Sequence, residues 1–206
     1  MINHDKTRDV LMARPSLAKT RREEILDALE QCIIEKGIQE SSLEYIADTA
    51  NMKRTILRHY IGNRDDIICA LSSRWRKNYS EQWQQIMHWL PKSNRAESLI
   101  DTMFSSRSKD YIQRTKVVDA LFSEAKRLDS VKEDQKSTIK EGIQNISTIL
   151  KTQFPNANDD KVRLVASSIN ANYIMSESLL PLGLTDEIYM LKESCLLLVS
   201  TLENNE

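Results

Sequence analysis

A chain of 206 residues, with 29 Lys and Arg against 30 Asp and Glu, has a net charge of −1 and room for one large domain or two small ones. That balance excludes a globally basic chain that coats nucleic acid, and equally an acidic disordered one. Four glycines and four prolines are about a third of the usual share of these two residues, which excludes a glycine-rich phosphate cradle and a turn-dense β-sandwich. An all-α chain of long helices is expected.

Residues 1–19 show no sustained periodicity and contain Pro15, so they read as a flexible basic arm. Thr20-Arg-Arg-Glu23 has the spacing of a capping box, in which hydroxyl and carboxylate each satisfy a free N–H at a helix start. Ile25, Ala28, Leu29, Cys32 and Ile33 then follow helical spacing, and Gly37 supplies a left-handed stop. Ser41-Ser42 offers the next N-cap, and Leu43, Ile46, Ala47 and Ala50 predict a short helix over about 42–49. Ala50-Asn51-Met52 is a turn, with Asn51 in a left-handed position and Met52 as an apolar plug.

The third helix begins at Lys53. Its pattern puts Met52, Ile56, Leu57, Tyr60 and Ile61 on one side and Lys53, Arg54, Thr55, Arg58 and His59 on the other. Between Thr49 and Arg64 there are four basic residues, His59 and no acid. Gly62 breaks this helix, and Asn63 caps a long fourth one with Asp65 and Asp66 near its positive end. Six further segments read as helical: about 65–89, 94–108, 110–128, 131–153, 158–180 and 185–203. In the segment 158–180, Val162, Val165, Ala166, Ile169 and Tyr173 form one stripe, and Leu164, Ala171, Met175 and Leu179 form another. The run Cys195–Val199 is apolar all round. Helices apolar on more than one side must be covered on more than one side, and a second copy of the chain is the natural cover.

Chemistry other than binding finds little support. Cys32, Cys69 and Cys195 are too scattered for a disulfide framework, and fit small buried residues of a reducing cytosol. His4, His59 and His88 have no metal-ligand spacing. Hence no catalytic residues, no metal and no cofactor are expected, and the chain does not read as an enzyme. The absence of any 18-residue apolar run argues against a membrane span, and a cytoplasmic location is expected.

Two short helices joined by a tight turn, the second basic on its outer face, follow helix-turn-helix logic. The run Ser41-Ser-Leu-Glu-Tyr-Ile-Ala47, Ala50-Asn-Met, Lys53-Arg-Thr-Ile-Leu-Arg-His-Tyr-Ile-Gly-Asn-Arg-Asp65 resembles the TetR family of bacterial transcriptional regulators without a gap. With Arg21, Ile25, Leu26, Ala28 and Gly37, the likeness spans residues 20–68. It departs where Asn51 replaces the family's Gly, Lys53 its capping Ser, Ile56 its Thr, Arg58 its Tyr and Ile61 its Phe.

The resemblance implies a DNA-binding domain over 20–64 and a helical ligand-binding and dimerisation domain over 65–206. It implies phosphate contacts by Thr20, Arg21, Ser42, Lys53, Arg58, Tyr60 and Arg64, and base readout by Arg54, Thr55 and His59. Trp83, Met87, Met103, Phe104, Phe122, Tyr173 and Met175 are candidates to line an effector pocket, with Trp75 nearby. Val165, Ile169, Tyr173, Leu191, Cys195, Leu198, Val199 and Leu202 are candidates for the dimer interface. The implied function is a sequence-specific homodimeric repressor, released from an inverted-repeat operator in double-stranded DNA by a small apolar or amphipathic effector. The alternative is a TetR-like DNA-bound protein that recruits a protein partner and has no small-molecule effector.

Overall fold

A computed structural model describes residues 6–105 and 107–203, and among them every regular element is helical. The α-helices are α1 (Lys6–Lys36), α2 (Leu43–Thr49), α3 (Arg54–Ile61), α4 (Arg64–Trp89), α5 (Arg95–Met103), α6 (Lys109–Glu124), α7 (Asp129–Gln153), α8 (Asp159–Leu179) and α9 (Thr185–Ser200). A 3₁₀ turn, Leu180–Leu182, joins the last two.

The first helix opens at Lys6, not at Thr20, so the expected arm is helical over 6–19, while residues 1–5 lie outside the described ones. Leu17, Ala18 and Lys19 are good helix formers, and they carry the helix straight into Thr20. The Glu23 carboxylate that was to close a capping box is held elsewhere. It pairs at 3.0 Å with Arg74 of α4, which also takes Asp27 at 2.7 Å and Glu30 at 2.8 Å.

The other helix signals behave as their chemistry dictates. Gly37 and Asn51 both take positive φ, +82° and +48°, and so turn the chain out of α1 and between α2 and α3. Ser42 caps α2 by accepting from the Tyr45 N–H at 3.1 Å. Asn63 accepts from the Asp65 and Asp66 N–H groups, and Asp66 reaches back to the Asn63 N–H at 2.8 Å, a complete capping box. Lys53 sits at the N-cap of α3 with no side-chain bond to offer. The missing cap costs about 0.5–2 kcal/mol. Burying Leu57 and Ile61 beneath α3 stabilises by about 1.5–3 kcal/mol each, so packing holds the helix in place.

Two cores form along α4. The first gathers Ile25, Leu29 and Ile33 of α1, Ile46 of α2, Leu57 of α3 and Ile67, Ile68 and Leu71 of α4. It does not stop at Arg64: Val117, Ala120 and Leu121 of α6 and Val131 of α7 belong to it. The second core combines Trp83 of α4 with Leu99 and Ile100 of α5, Ile146 and Ile149 of α7, Val165 and Ile169 of α8, and Cys195 and Val199 of α9. Gly142, in the middle of α7, explains how closely these helices pack. A Cβ there would lie 2.5 Å from the Tyr79 hydroxyl of α4 and 2.6 Å from Asn170 Oδ1 of α8.

Candidate nucleic-acid interface

The eight-residue α3 buries a narrow edge, Leu57 and Ile61, with Tyr60 half-buried beside them. Everything else on it faces outward. Lys53, Arg54, Thr55, Arg58 and His59 are exposed, as their pattern predicts. Ile56 joins them at 44% exposure, against the expectation that it lies on the core side. It sits about 100° round the helix from Leu57, and so narrow a buried edge leaves it outside. An exposed isoleucine flanked by cationic and hydroxyl side chains is an apolar contact amid hydrogen-bonding ones, which is what a thymine methyl presents among base edges.

Arg54 is ion-paired with Glu44 of α2. This acid stands in the first turn of α2, two residues past the Ser42 cap, and its role as partner of Arg54 has no signature in the sequence. Arg22 of α1 donates to the Tyr60 carbonyl at 3.0 Å and brings the Thr20–Arg22 turn beside the C-terminal end of α3. Arg22 also escaped the sequence reading, because a contact spanning 38 residues has no local signature. Arg21 pairs with Glu24 at 2.7 Å on the exposed side of α1. Tyr60 packs on the first core and meets the His59 ring edge-on at 5.3 Å, so it braces the helix while its neighbour faces out.

Arg64 departs from the phosphate-contacting role implied for it. Its Nε donates to the Ser41 carbonyl at 2.8 Å, and its guanidinium also reaches the Ile38 carbonyl. These are backbone acceptors in the loop between α1 and α2, where the Ile38 carbonyl also accepts from the Ser41 N–H at 3.2 Å. Arg64 therefore fastens that loop to the start of α4. Arg64→Ala is expected to lower stability by about 1–3 kcal/mol, the cost of leaving the carbonyl of buried Ser41 without its donor. The salt dependence of DNA binding should stay unchanged. Urea unfolding and a salt titration check both, and a shallower salt dependence at unchanged stability would restore the phosphate role.

The α1–α3 unit is bound firmly to the rest. Besides Arg74, the Trp75 indole N–H donates to Glu30 at 2.7 Å, which places Trp75 against the first core. Arg127, just after α6, donates to both Asp65 oxygens at 2.9 and 2.7 Å and pairs with Glu124. The Arg127 hydrogen bonds hold the Asp65 carboxyl below the usual range. Lys116 of α6 donates to the Ile34 carbonyl of α1 at 3.1 Å.

The expected pocket residues separate into four places. Phe122 and Met175 are exposed, at 37% and 52%, and enclose nothing. Met103 is packed into the second core. Trp83 and Met87 border a surface hollow of about 520 Å³ between α4 and α7, whose other walls are Ser80, Gln84, His88, Glu141 and Asn145. Phe104 and Tyr173 belong to an aromatic cluster with Tyr111 and Glu177, in which the Tyr111 hydroxyl donates to Glu177 at 2.6 Å. Burial pushes the Glu177 carboxyl and the Tyr111 and Tyr173 hydroxyls up from their ordinary values. The helical periodicity put Tyr173 on an apolar stripe and did not single out Tyr111. It carried no sign that a carboxylate sits among them.

The expected dimer residues need a correction too. Val165, Ile169, Cys195, Val199 and Leu202 are at most 3% exposed and belong to the second core of the same chain. They satisfy one another where α8 crosses α9. Tyr173 belongs to the aromatic cluster, while Leu191 and Leu198 are half-buried. The other stripe is the open one: Leu164 is 68% and Met175 52% exposed on α8, and Met190 is 65% and Leu197 70% exposed on α9. Among the described residues no cluster could hold a metal ion, and no helix is long and apolar enough to cross a membrane.

No family model matches the chain, and no curated protein matches it significantly in sequence. Solved structures do match. A TetR transcription regulator from Haloarcula marismortui superposes with a TM-score of 0.76 at 13% identity, over 89% of this chain and 98% of that one. A regulator from Saccharomonospora viridis in complex with choline gives 0.72 at 14% identity, over 91% and 97%. A TetR regulator from Legionella pneumophila gives 0.68 at 16% identity, over 84% and 94%. The chain has the fold of the TetR-type transcriptional regulators.

Proposed function

We propose that the chain is a sequence-specific DNA-binding transcriptional regulator that acts as a homodimeric repressor under small-molecule control. The observation that carries this is the outer face of α3. Six consecutive or near-consecutive side chains, Lys53, Arg54, Thr55, Ile56, Arg58 and His59, stand exposed on a helix pinned by the Asn51 turn and the Asn63 cap. A rigid helix whose buried edge is apolar and whose outer face mixes cations, hydroxyl and methyl groups suits the major groove.

In this reading Lys53 and Arg58 hold phosphates, with Thr20, Arg21 and Ser42 flanking them. Arg54, Thr55 and His59 read base edges, and Ile56 adds a thymine methyl contact. The ion pair with Glu44 keeps the Arg54 guanidinium extended from the start of α3 until a guanine replaces the carboxylate. The open stripes of α8 and α9 pair with a second copy, so that two α3 helices address two half-sites.

Effector control runs through α6. Its first turn carries Tyr111 in the aromatic cluster, its middle enters the first core through Val117, Ala120 and Leu121, and its end is tied by Arg127 to the start of α4. A shift of α6 therefore moves the α1–α3 unit. The choline held by the Saccharomonospora viridis regulator supports a small organic molecule as effector. Selection of bound duplexes from a random DNA pool tests the reading. It should return an inverted repeat with half-sites about one helical turn apart, or a multiple. Recovery of duplexes with no common sequence would refute it.

A further inference from the structure

We propose that the cluster where α5, α6 and α8 meet is a receptor for organic ammonium ions, recognised by the ring face of Tyr111 and the carboxylate of Glu177. The proposal deepens the effector reading above and rests on it for its regulatory consequence. Binding of the ion itself does not depend on DNA.

The first observation is the carboxylate. Glu177 accepts from the Tyr111 hydroxyl at 2.6 Å, and the Tyr173 hydroxyl lies 3.2 Å from that of Tyr111. Phe104 closes the group, its ring edge-on to Tyr173 at 6.4 Å. Among the described residues no cation lies within ion-pairing distance of Glu177, although all these side chains are only half-buried and reachable from solvent. The charge that favours the Glu177 carboxylate is that of Arg107, beyond ion-pairing distance, and a neutral guest that displaced it would leave the carboxylate without that support. A cation balances it.

The second observation is independent of the first. The Arg107 guanidinium carbon stands 4.6 Å from the centroid of the Tyr111 ring, so the chain already lays a cation on this face. Arg107 donates to the Met103 carbonyl at the end of α5 at 2.6 Å and to Ser105 Oγ at 3.1 Å. It fills the ring face without reaching Glu177. An ammonium ion in its place gains the ring and the carboxylate together. Methyl groups on nitrogen lose nothing at the ring face, which asks for no N–H donor, and a tertiary ammonium keeps one N–H for the Glu177 carboxylate. Tertiary ammonium ions meet both groups best, and quaternary ions keep the ring contact and the charge attraction.

Isothermal titration of the full chain with tetramethylammonium chloride at constant ionic strength, against tert-butanol as a neutral molecule of similar shape, tests this. Saturable binding of the ion and none of the alcohol is expected. Glu177→Gln keeps the hydrogen bond from Tyr111 and removes the charge, and it should weaken binding about tenfold. Tyr111→Leu removes the ring face and should weaken it comparably. Arg107→Met keeps an apolar stem and frees the ring, and it should tighten binding several-fold, where a purely structural arginine would leave it weaker. Equal binding of the alcohol, no saturable heat with either the natural chain or Arg107→Met, or weaker binding by Arg107→Met would each overturn the proposal. A chain that binds the ion but selects no DNA would overturn only the regulator reading.

Discussion

Leu197→Arg is expected to halve the sedimenting mass of the protein, leave each copy folded, and weaken operator binding by about a hundredfold or more. Leu197 is 70% exposed on α9, so an arginine there meets water in a single copy and a desolvated apolar surface in a pair. A dimer holds its second recognition helix at high effective concentration over the second half-site, an advantage of about 10²–10⁴ that a monomer lacks. Leu164→Arg, on the matching stripe of α8, should behave alike. Val199→Arg should not. Val199 is 2% exposed inside the second core, and an unpaired charge there costs several kcal/mol of a total near 5–15. Sedimentation and circular dichroism together separate a folded monomer from an unfolded chain. A folded dimer in Leu197→Arg would remove α9 from the interface.

The second large effect concerns the cations of α3. Replacing Lys53 or Arg58 with Ala should weaken specific and non-specific duplexes about equally. It should also make the dependence of log K on log salt shallower by about one unit per subunit, or two per dimer. Arg54→Ala should instead relax preference at one base pair of each half-site, by about 1–3 kcal/mol of discrimination. Ile56→Ala should relax a thymine preference with no change in salt dependence. If Arg58→Ala changes sequence preference and leaves the salt slope alone, Arg58 reads a base.

Capping and turn chemistry made the α2–α3 region legible in the sequence. Ser42, Asn51, Gly62 and Asn63 each act on groups within a few residues, so their positions bound α2 and α3 closely. Arg64 shows where such reading ends. Its partners, Ser41 and Ile38, lie 23 and 26 residues away, and nothing local distinguishes an arginine turned onto carbonyls from one facing a phosphate. The start of α1 failed for the same reason, since Glu23 finds Arg74 51 residues on. In α8 the periodicity disclosed two apolar stripes and could not rank them. Which stripe is internal depends on where α7 and α9 cross, a tertiary fact that put Val165 and Ile169 inside and left Leu164 and Met175 outside.

In the proposed regulator two copies of α3 read two half-sites of one duplex. The direct measurement is the equilibrium affinity of the full chain, at one fixed salt concentration, for three duplexes: the selected inverted repeat, the same with one half scrambled, and the same with both halves scrambled. Three separated affinities are expected, with the intact repeat about 10³-fold or more tighter than the fully scrambled duplex and the half-site between them. Equal affinity for all three would contradict this.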